Sequence, residues 1–93
     1  MRYFIVFAKL LKPEIAPTVA PAHMAYMIAL REAGTVIANG RLLDGWGGVA
    51  VYRAESIDEV QELVNKDPFI IEGIRSAEVH EWDLKLAPGV TIA

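Results

Sequence analysis

Side chains suited to proton transfer are few in this chain. It has two histidines, His23 and His80, and no cysteine, which excludes a thiolate nucleophile and a cysteine metal site. His23 precedes Tyr26 and Met27 by one helical turn, on a stripe that continues to Leu30 and should face a sheet. A histidine at the rim of a core, with its tautomer fixed by a neighbouring carboxylate, suits general acid–base catalysis.

Asp67 is the carboxylate that we expect beside His23. Spacing alone leaves a structural alternative for each residue. His23 can be a partly buried histidine bonded to local backbone, and Asp67, which precedes Pro68, is a good N-cap for a short helical turn. Capping does not exclude a second role, so the pair is a hypothesis that depends on where the fold places both residues.

Periodicity and turn signals predict four strands and two helices. The strands are expected at residues 2–9, 35–42, 48–54 and 75–86, and the helices at 21–33 and 57–65, with one more turn at 69–73. Residues 10–20, with two prolines, are interpreted mostly as loop, and residues 56–59 as a capping box. The order β-α-β-β-α-β predicts an α+β, ferredoxin-like fold, in which a four-stranded antiparallel sheet carries both helices on one face.

This topology places several chemically useful residues at one end of the domain. His23, expected at the start of helix 1, and Asp67, just after helix 2, should meet at the end where strand 1 finishes. At the start of a helix, the helix N-terminus would oppose a positive charge on His23. Other residues at this end are the pocket candidates Tyr26, Trp46, Phe69, Lys9 and Arg75.

Composition excludes several other classes of function. The 93 residues form one domain, with a core of about 1–86 and a tail at 87–93; the net charge of −3 and the absence of a basic stripe disfavour nucleic-acid binding. The apolar run at residues 3–8 is too short to span a membrane, and no signal peptide is evident, so a cytoplasmic location is expected. The glycine-rich segment at 45–48 lacks phosphate-loop residues, and scattered carboxylates form no metal set, so no cofactor or metal is predicted.

The apolar content predicts a homodimer. Hydrophobic residues make up 54% of the chain, and both alternating sets of residues 3–8 are apolar. Helices can cover only one face of the sheet, so we expect the other face to pack against a second copy. His80 alternates with Trp82 and Leu84 on the last strand and is interpreted as an interface or core histidine.

Five short motifs resemble the YCII-related family in their order and spacing. They are Pro21-Ala22-His23-Met24-Ala25, the strand leading to Gly40-Arg41, Ser56-Ile57-Asp58-Glu59-Val60, Asp67-Pro68-Phe69 with Gly73-Ile74, and Val79-His80-Glu81-Trp82. The resemblance covers residues 1 to about 86. It implies a dimeric α+β barrel like that of muconolactone isomerases, with a His–Asp pair at a pocket that corresponds here to His23 and Asp67.

The resemblance implies which residues form a site, but it does not name a substrate. Some family members dehydrochlorinate hydroxylated aromatic compounds, and most have no assigned reaction. Two departures matter here: Pro13 and Pro17 predict a shorter start of helix 1 than is usual, and residues 44–48 lack the Gly-Pro that often follows strand 2.

Together, the residues and the resemblance predict a small cofactor-independent lyase or isomerase acting on a small cyclic or aromatic molecule. His23 would transfer the proton and Asp67 would orient it. The alternative is a non-catalytic ligand-binding or structural dimer module, and a third interpretation is a cofactor-free monooxygenase on the same barrel plan.

Overall fold

Strands and helices follow one another in the predicted order in a computed structural model, which describes residues 1–92. The sheet order is β2-β3-β1-β4, and every neighbouring pair is antiparallel. This confirms the α+β, ferredoxin-like fold. The elements are β1 (Arg2–Leu10), α1 (Ala16–Glu32), β2 (Val36–Arg41), β3 (Gly47–Ala54), α2 (Ile57–Asn65), α3 (Pro68–Ile71) and β4 (Arg75–Glu81).

The hydrophobic core lies between the helices and one face of the sheet. Strand β1 is central, and its alternation buries Phe4 and Val6 under the helices while Ile5 stays on the opposite face. Helix α2 contributes Val60 and Val64 to the core, and α1 contributes Met27. Among residues 1–92, no helix is both long enough and apolar enough to cross a membrane.

Helix α1 begins at Ala16, so the prediction of mostly loop at residues 10–20 holds only for residues 11–15, and the predicted helix start at residue 21 is wrong. Pro17 is in the first turn, where a missing N–H is not needed, and only Pro21 lies inside the helix. Half-buried Ala16 and Ala20 extend the stripe of His23 backwards along α1, and this packing outweighs local propensity. His23 therefore lies about two turns inside α1, beyond the first turn to which the effect of the helix N-terminus is confined.

Strand β4 ends at Glu81, earlier than the predicted residue 86. Its register pairs Phe4 with Glu81, and the last ladder contact is the Trp82 N–H donating to the Tyr3 carbonyl at 2.8 Å. Since β1 begins at Arg2, residues beyond 82 have no strand to pair with. The other predicted boundaries lie within two residues of those observed.

Of the two hydrogen bonds in the capping box predicted at the start of α2, one forms. The Ser56 hydroxyl accepts a hydrogen bond from the Glu59 N–H at 3.2 Å. The Glu59 carboxylate accepts from the N–H of Glu55 at 3.2 Å, one residue before the N-cap. Two backbone donors are satisfied, so the cap still fixes where α2 begins.

Gly47 sits where β3 passes closest to the end of β1. Its φ of +154° is unusual for a residue with a side chain, and a Cβ there would collide with the carbonyl oxygen of Ala8. No atom lies within 4 Å of a Cβ built on Gly40, which belongs to the neighbouring strand β2.

Replacing Gly47 with alanine should therefore destabilise the protein by about 2 kcal/mol or more, because the backbone must move. Gly40→Ala is the matched control and should change the free energy of unfolding by less than about 1 kcal/mol. Urea denaturation followed by circular dichroism measures both values. Equal stability of the two variants would contradict the close approach of β1 and β3.

Candidate functional site

His23 and Asp67 are in direct contact, although 44 positions separate them. The Nδ1 atom of His23, on α1, is 2.7 Å from Oδ1 of Asp67, which immediately precedes α3. The two side chains are 12% and 13% exposed, so little water competes for the contact. With Asp67 ionised, Nδ1 carries the hydrogen and donates it, and Nε2 is left free for other chemistry.

Asp67 also caps the short helix α3. Its Oδ1 accepts a hydrogen bond from the Phe69 N–H at 2.9 Å, and its backbone is extended, as expected of an N-cap. The same carboxylate oxygen thus serves the backbone of α3 and the ring of His23. Asp67 is therefore both a helix cap and the partner of His23, because one oxygen atom accepts from both donors.

Phe69 connects His23 to Arg75. The His23 and Phe69 rings stack with centroids 4.2 Å apart and planes 16° from parallel. The Arg75 guanidinium carbon lies 4.7 Å from the Phe69 centroid, within the range of a cation–π contact. Phe69 is only 5% exposed, so its ring fixes both polar neighbours.

A cavity of about 580 Å³ lies between α1 and the helix-facing side of the sheet. This volume is in the usual range for a small-molecule site. His23, Asp67, Phe69 and Arg75 form part of its wall. Most of the remaining lining is apolar or small, and includes Val6, Ala8, Leu10, Ala20, Met24, Met27, Gly48, Ala50 and Ala77.

Two tyrosines lie near Asp67. The Tyr26 hydroxyl donates to the Leu63 carbonyl at 2.6 Å, and burial, with a further contribution from the negative charge of Asp67, raises the pKa of Tyr26. Burial also raises the pKa of Tyr52, which lines the cavity, and the charges of Tyr26 and Asp67 add to the shift. Both phenols therefore stay protonated at neutral pH and act as neutral hydrogen-bonding groups.

The predicted pocket residues divide into two groups. Phe69 and Arg75 line the cavity with His23 and Asp67. The cavity wall, as far as residues 1–92 form it, does not include the other three. Lys9 alternates with Ala8 and Leu10 and so lies on the other sheet face, Trp46 is 40% exposed in a turn closed on Asp44, and Tyr26 points its hydroxyl at α2. The proposed roles of all these residues stay predictions.

Besides Tyr52, the polar cavity residues that the sequence analysis did not propose for the site are Arg31, Asn39 and Arg41. Arg31 donates to the Asn39 side-chain oxygen at 2.6 Å, which links α1 to β2. Spacing could have revealed them, since Arg31 follows Met27 by four residues on the same helix face. Arg41 follows Asn39 by two, on the same sheet face.

His80 lies on the sheet face away from the helices. It is exposed, and its ring makes an edge contact with Phe7 at a centroid distance of 6.2 Å. It takes no part in the cavity wall formed by residues 1–92. Within that same range, no three His, Cys, Asp or Glu side chains are grouped in a way that could hold a metal ion.

The fold and the site define an α+β protein of ferredoxin-like topology whose cavity wall carries a His–Asp pair. The chain belongs to the YCII-related family: the model of the YCII-related domain matches residues 1–83.

Several solved structures resemble this chain, including the following two. One is the 5-chloro-2-hydroxyhydroquinone dehydrochlorinase TftG of Burkholderia phenoliruptrix AC1100, in complex with 2,5-dihydroxybenzoquinone; it is 26% identical, with a TM-score of 0.77 over 87% of this chain and 93% of TftG. The other is TTHA0845 of Thermus thermophilus, 17% identical with a TM-score of 0.55 over 95% and 99% of the two chains, which supports the fold alone. No curated protein sequence matches this chain.

Removing the Asp67 carboxylate should cost more than removing an ordinary helix cap. Asp67→Ala leaves both the Phe69 N–H and His23 Nδ1 without a partner in a buried site, and we expect a loss of about 2–4 kcal/mol. Ser56→Ala removes the cap of α2 alone and should cost about 1 kcal/mol. Urea denaturation compares the two variants, and equal losses would mean that the His23 contact adds nothing to stability.

Proposed function

We propose that this protein is a cofactor-independent enzyme of the lyase or isomerase type, acting on a small hydroxylated cyclic or aromatic molecule. His23 is the proton-transfer group and Asp67 holds it in place. One observation carries the proposal: the 2.7 Å contact between His23 Nδ1 and Asp67 Oδ1 at the wall of a cavity large enough for a single ring compound.

The geometry suits His23 to act as a base. The Asp67 carboxylate accepts the Nδ1 hydrogen, so the lone pair of neutral His23 is on Nε2. Among residues 1–92, Nε2 has no hydrogen-bond partner, and the ring lines the cavity. When Nε2 takes a proton, the adjacent carboxylate stabilises the imidazolium that forms.

An elimination fits these groups. In the keto tautomer of a chlorinated hydroquinone, one hydroxyl proton has moved to the carbon that carries chlorine. A base then takes the proton of another ring hydroxyl, whose oxygen becomes a carbonyl, the ring double bond shifts to the chlorine-bearing carbon, and chloride leaves with the electrons of the C–Cl bond. The atoms balance without an oxidant or a reductant, so the step needs only a base and a cavity that orients the ring. TftG, a dehydrochlorinase that shares 26% of its residues with this chain, supports this choice of reaction and substrate class.

A homodimer belongs to the proposal. The sheet face away from the helices carries half-buried Ile5, Phe7, Val49 and Val51 in one apolar patch. Full burial of an exposed side chain of this size contributes about 1.5–3 kcal/mol, so covering these half-buried ones contributes part of that each, and a second copy of the same face is the simplest cover. The cytoplasmic location stays a prediction.

Turnover should depend on His23. We expect His23→Gln to lower the rate of chloride release from 5-chloro-2-hydroxyhydroquinone by at least about 100-fold, since general base catalysis is typically worth about 10²–10⁴. His80→Gln makes the same change on the other sheet face and should stay within about twofold of the wild type. Chloride is measured by ion chromatography under anaerobic conditions.

The anaerobic condition separates the three hypotheses. An elimination continues without oxygen, whereas a cofactor-free monooxygenase stops. Ring binding by the wild type without chloride release above the protein-free rate would favour the non-catalytic binding module for this substrate. Equal loss in both histidine variants would contradict a specific role for His23.

The dimer has its own test. Light scattering at micromolar concentration should give twice the chain mass of 10.2 kDa. Val51→Glu places a charge in the apolar patch and should give a mass near that of one chain. Ile57→Glu, at the start of α2 on the helix-covered side, is the control and should remain dimeric. A monomeric wild type would overturn this part of the proposal.

A further inference from the structure

The cavity carries a charge opposite to that of the whole chain. Its charged lining residues are Arg31, Arg41, Arg75 and Asp67, which sum to 3 − 1 = +2 with His23 neutral. The chain as a whole has a net charge of −3. A cleft that concentrates one sign of charge between low-dielectric walls attracts ligands of the other sign.

Arg75 is the least satisfied of these groups. It begins β4, and its Nε is buried without a hydrogen-bond partner in residues 1–92. Arg75 also forms no salt bridge with any carboxylate of residues 1–92. Its ring contact with Phe69 fixes the guanidinium but accepts none of its N–H groups. Such a group is costly to bury unless something else satisfies it.

The sheet makes room for this side chain. A Cβ on Gly48 would lie 2.7 Å from an Nη atom of Arg75, so the guanidinium occupies the space above a glycine. Gly48 is on β3 and Arg75 on β4, with β1 between them. The Arg75 side chain therefore crosses β1 along the floor of the cavity and brings its charge towards the middle.

We infer that Arg75 is the anion-binding residue of the cavity and that the ligand is a planar organic anion, an aromatic or quinoid oxyanion or carboxylate. The guanidinium offers a fork of N–H donors to the negative oxygen, and charge-assisted bonds of this kind strengthen away from water. Phe69 contacts both Arg75 and His23, so an oxyanion on Arg75 is held at a fixed position relative to His23. This inference names the substrate class of the proposed enzyme and so rests on that proposal for its catalytic meaning.

Binding of a matched pair of probes tests the inference. Benzoate and benzyl alcohol share a ring and differ in charge, and 2,5-dihydroxybenzoquinone, an acidic quinone ionised at neutral pH, adds a second anion. Calorimetry should show that wild type binds both anions at least about tenfold more tightly than benzyl alcohol. Arg75→Met, which keeps the length and apolar packing of the side chain, should weaken both anions at least about tenfold and benzyl alcohol less than about twofold.

Two further variants separate charge from geometry. Arg75→Lys keeps the charge but loses the planar fork, and should bind the anions with intermediate affinity. Lys85→Gln removes one positive charge from an exposed residue outside the cavity and should leave all three affinities unchanged. Circular dichroism confirms folding, which Arg75→Met should retain because replacing a partly buried charge that has no salt bridge with an apolar side chain is commonly tolerated.

Several outcomes would overturn the inference. One is equal weakening of benzoate and benzyl alcohol in Arg75→Met, which would assign Arg75 to packing around Phe69. Another is the absence of any shift of the Arg75 Nε–H resonance in ¹⁵N NMR with either anion at millimolar concentration. Anion binding that depends on Arg75 but is followed by no turnover leaves the inference intact and counts against the proposed enzyme alone.

Discussion

One carboxylate oxygen organises the site. Oδ1 of Asp67 accepts from the Phe69 N–H and from His23 Nδ1, so the same atom starts α3 and fixes the histidine of α1. Because α3 begins at this cap, Phe69 is placed against the imidazole and against Arg75. An exposed cap could rotate to serve one donor at a time, but Asp67 is 9% exposed and serves both together. Structural capping and chemical positioning are one interaction here.

Three ionisable side chains near this oxygen have shifted pKa values. The pKa of Tyr26 is raised by burial and by Asp67, and that of Tyr52 by burial, Tyr26 and Asp67, so neither phenol competes as a negative charge. Burial lowers the pKa of Arg75 and the charge of Asp67 opposes that shift. Since the pKa of an arginine lies far above neutrality, Arg75 stays protonated at neutral pH. The cavity wall therefore holds the cationic Arg75 and the oriented imidazole of His23, both in contact with the Phe69 ring.

The sequence predicted the fold well because the strand and turn signals are local. The approach of His23 to Asp67 was predicted as well, because the order of the elements brings both to one end and the family resemblance implies that they form a pair. The sequence prediction failed for the start of α1, where Pro13 and Pro17 signal a loop and only the packing of Ala16 and Ala20 reveals the helix. Local propensity cannot weigh such burial.

Side-chain direction explains the remaining misses. Lys9 and Trp46 are at the predicted end of the domain but outside the cavity wall that residues 1–92 form. The alternation of side chains along β1 places Lys9 on the other sheet face, and the turn closed on Asp44 keeps Trp46 away from the cavity. Spacing could have predicted Arg31, which shares a helix face with His23, and Arg41, which shares a sheet face with Asn39. It could not have predicted the reach of Arg75 over Gly48, since that reach depends on register between strands that are far apart in the sequence.

The cavity exists because side-chain size changes along the sheet. One row across the helix-facing side contains Val36, Tyr52 and Phe4, which are almost fully buried and fill the space beneath the helices. Two rows further, β3 and β1 pair Gly48 with Ala8, and β4 adds Ala77. Helix α1 covers both rows without a break, so the row of small residues leaves a void beneath the helix. A void forfeits packing that a fully filled core would gain. Arg75 occupies part of that void with a charged side chain whose buried Nε has no hydrogen-bond partner in residues 1–92, so this end of the domain gives up stability, as the proposed ligand site would require.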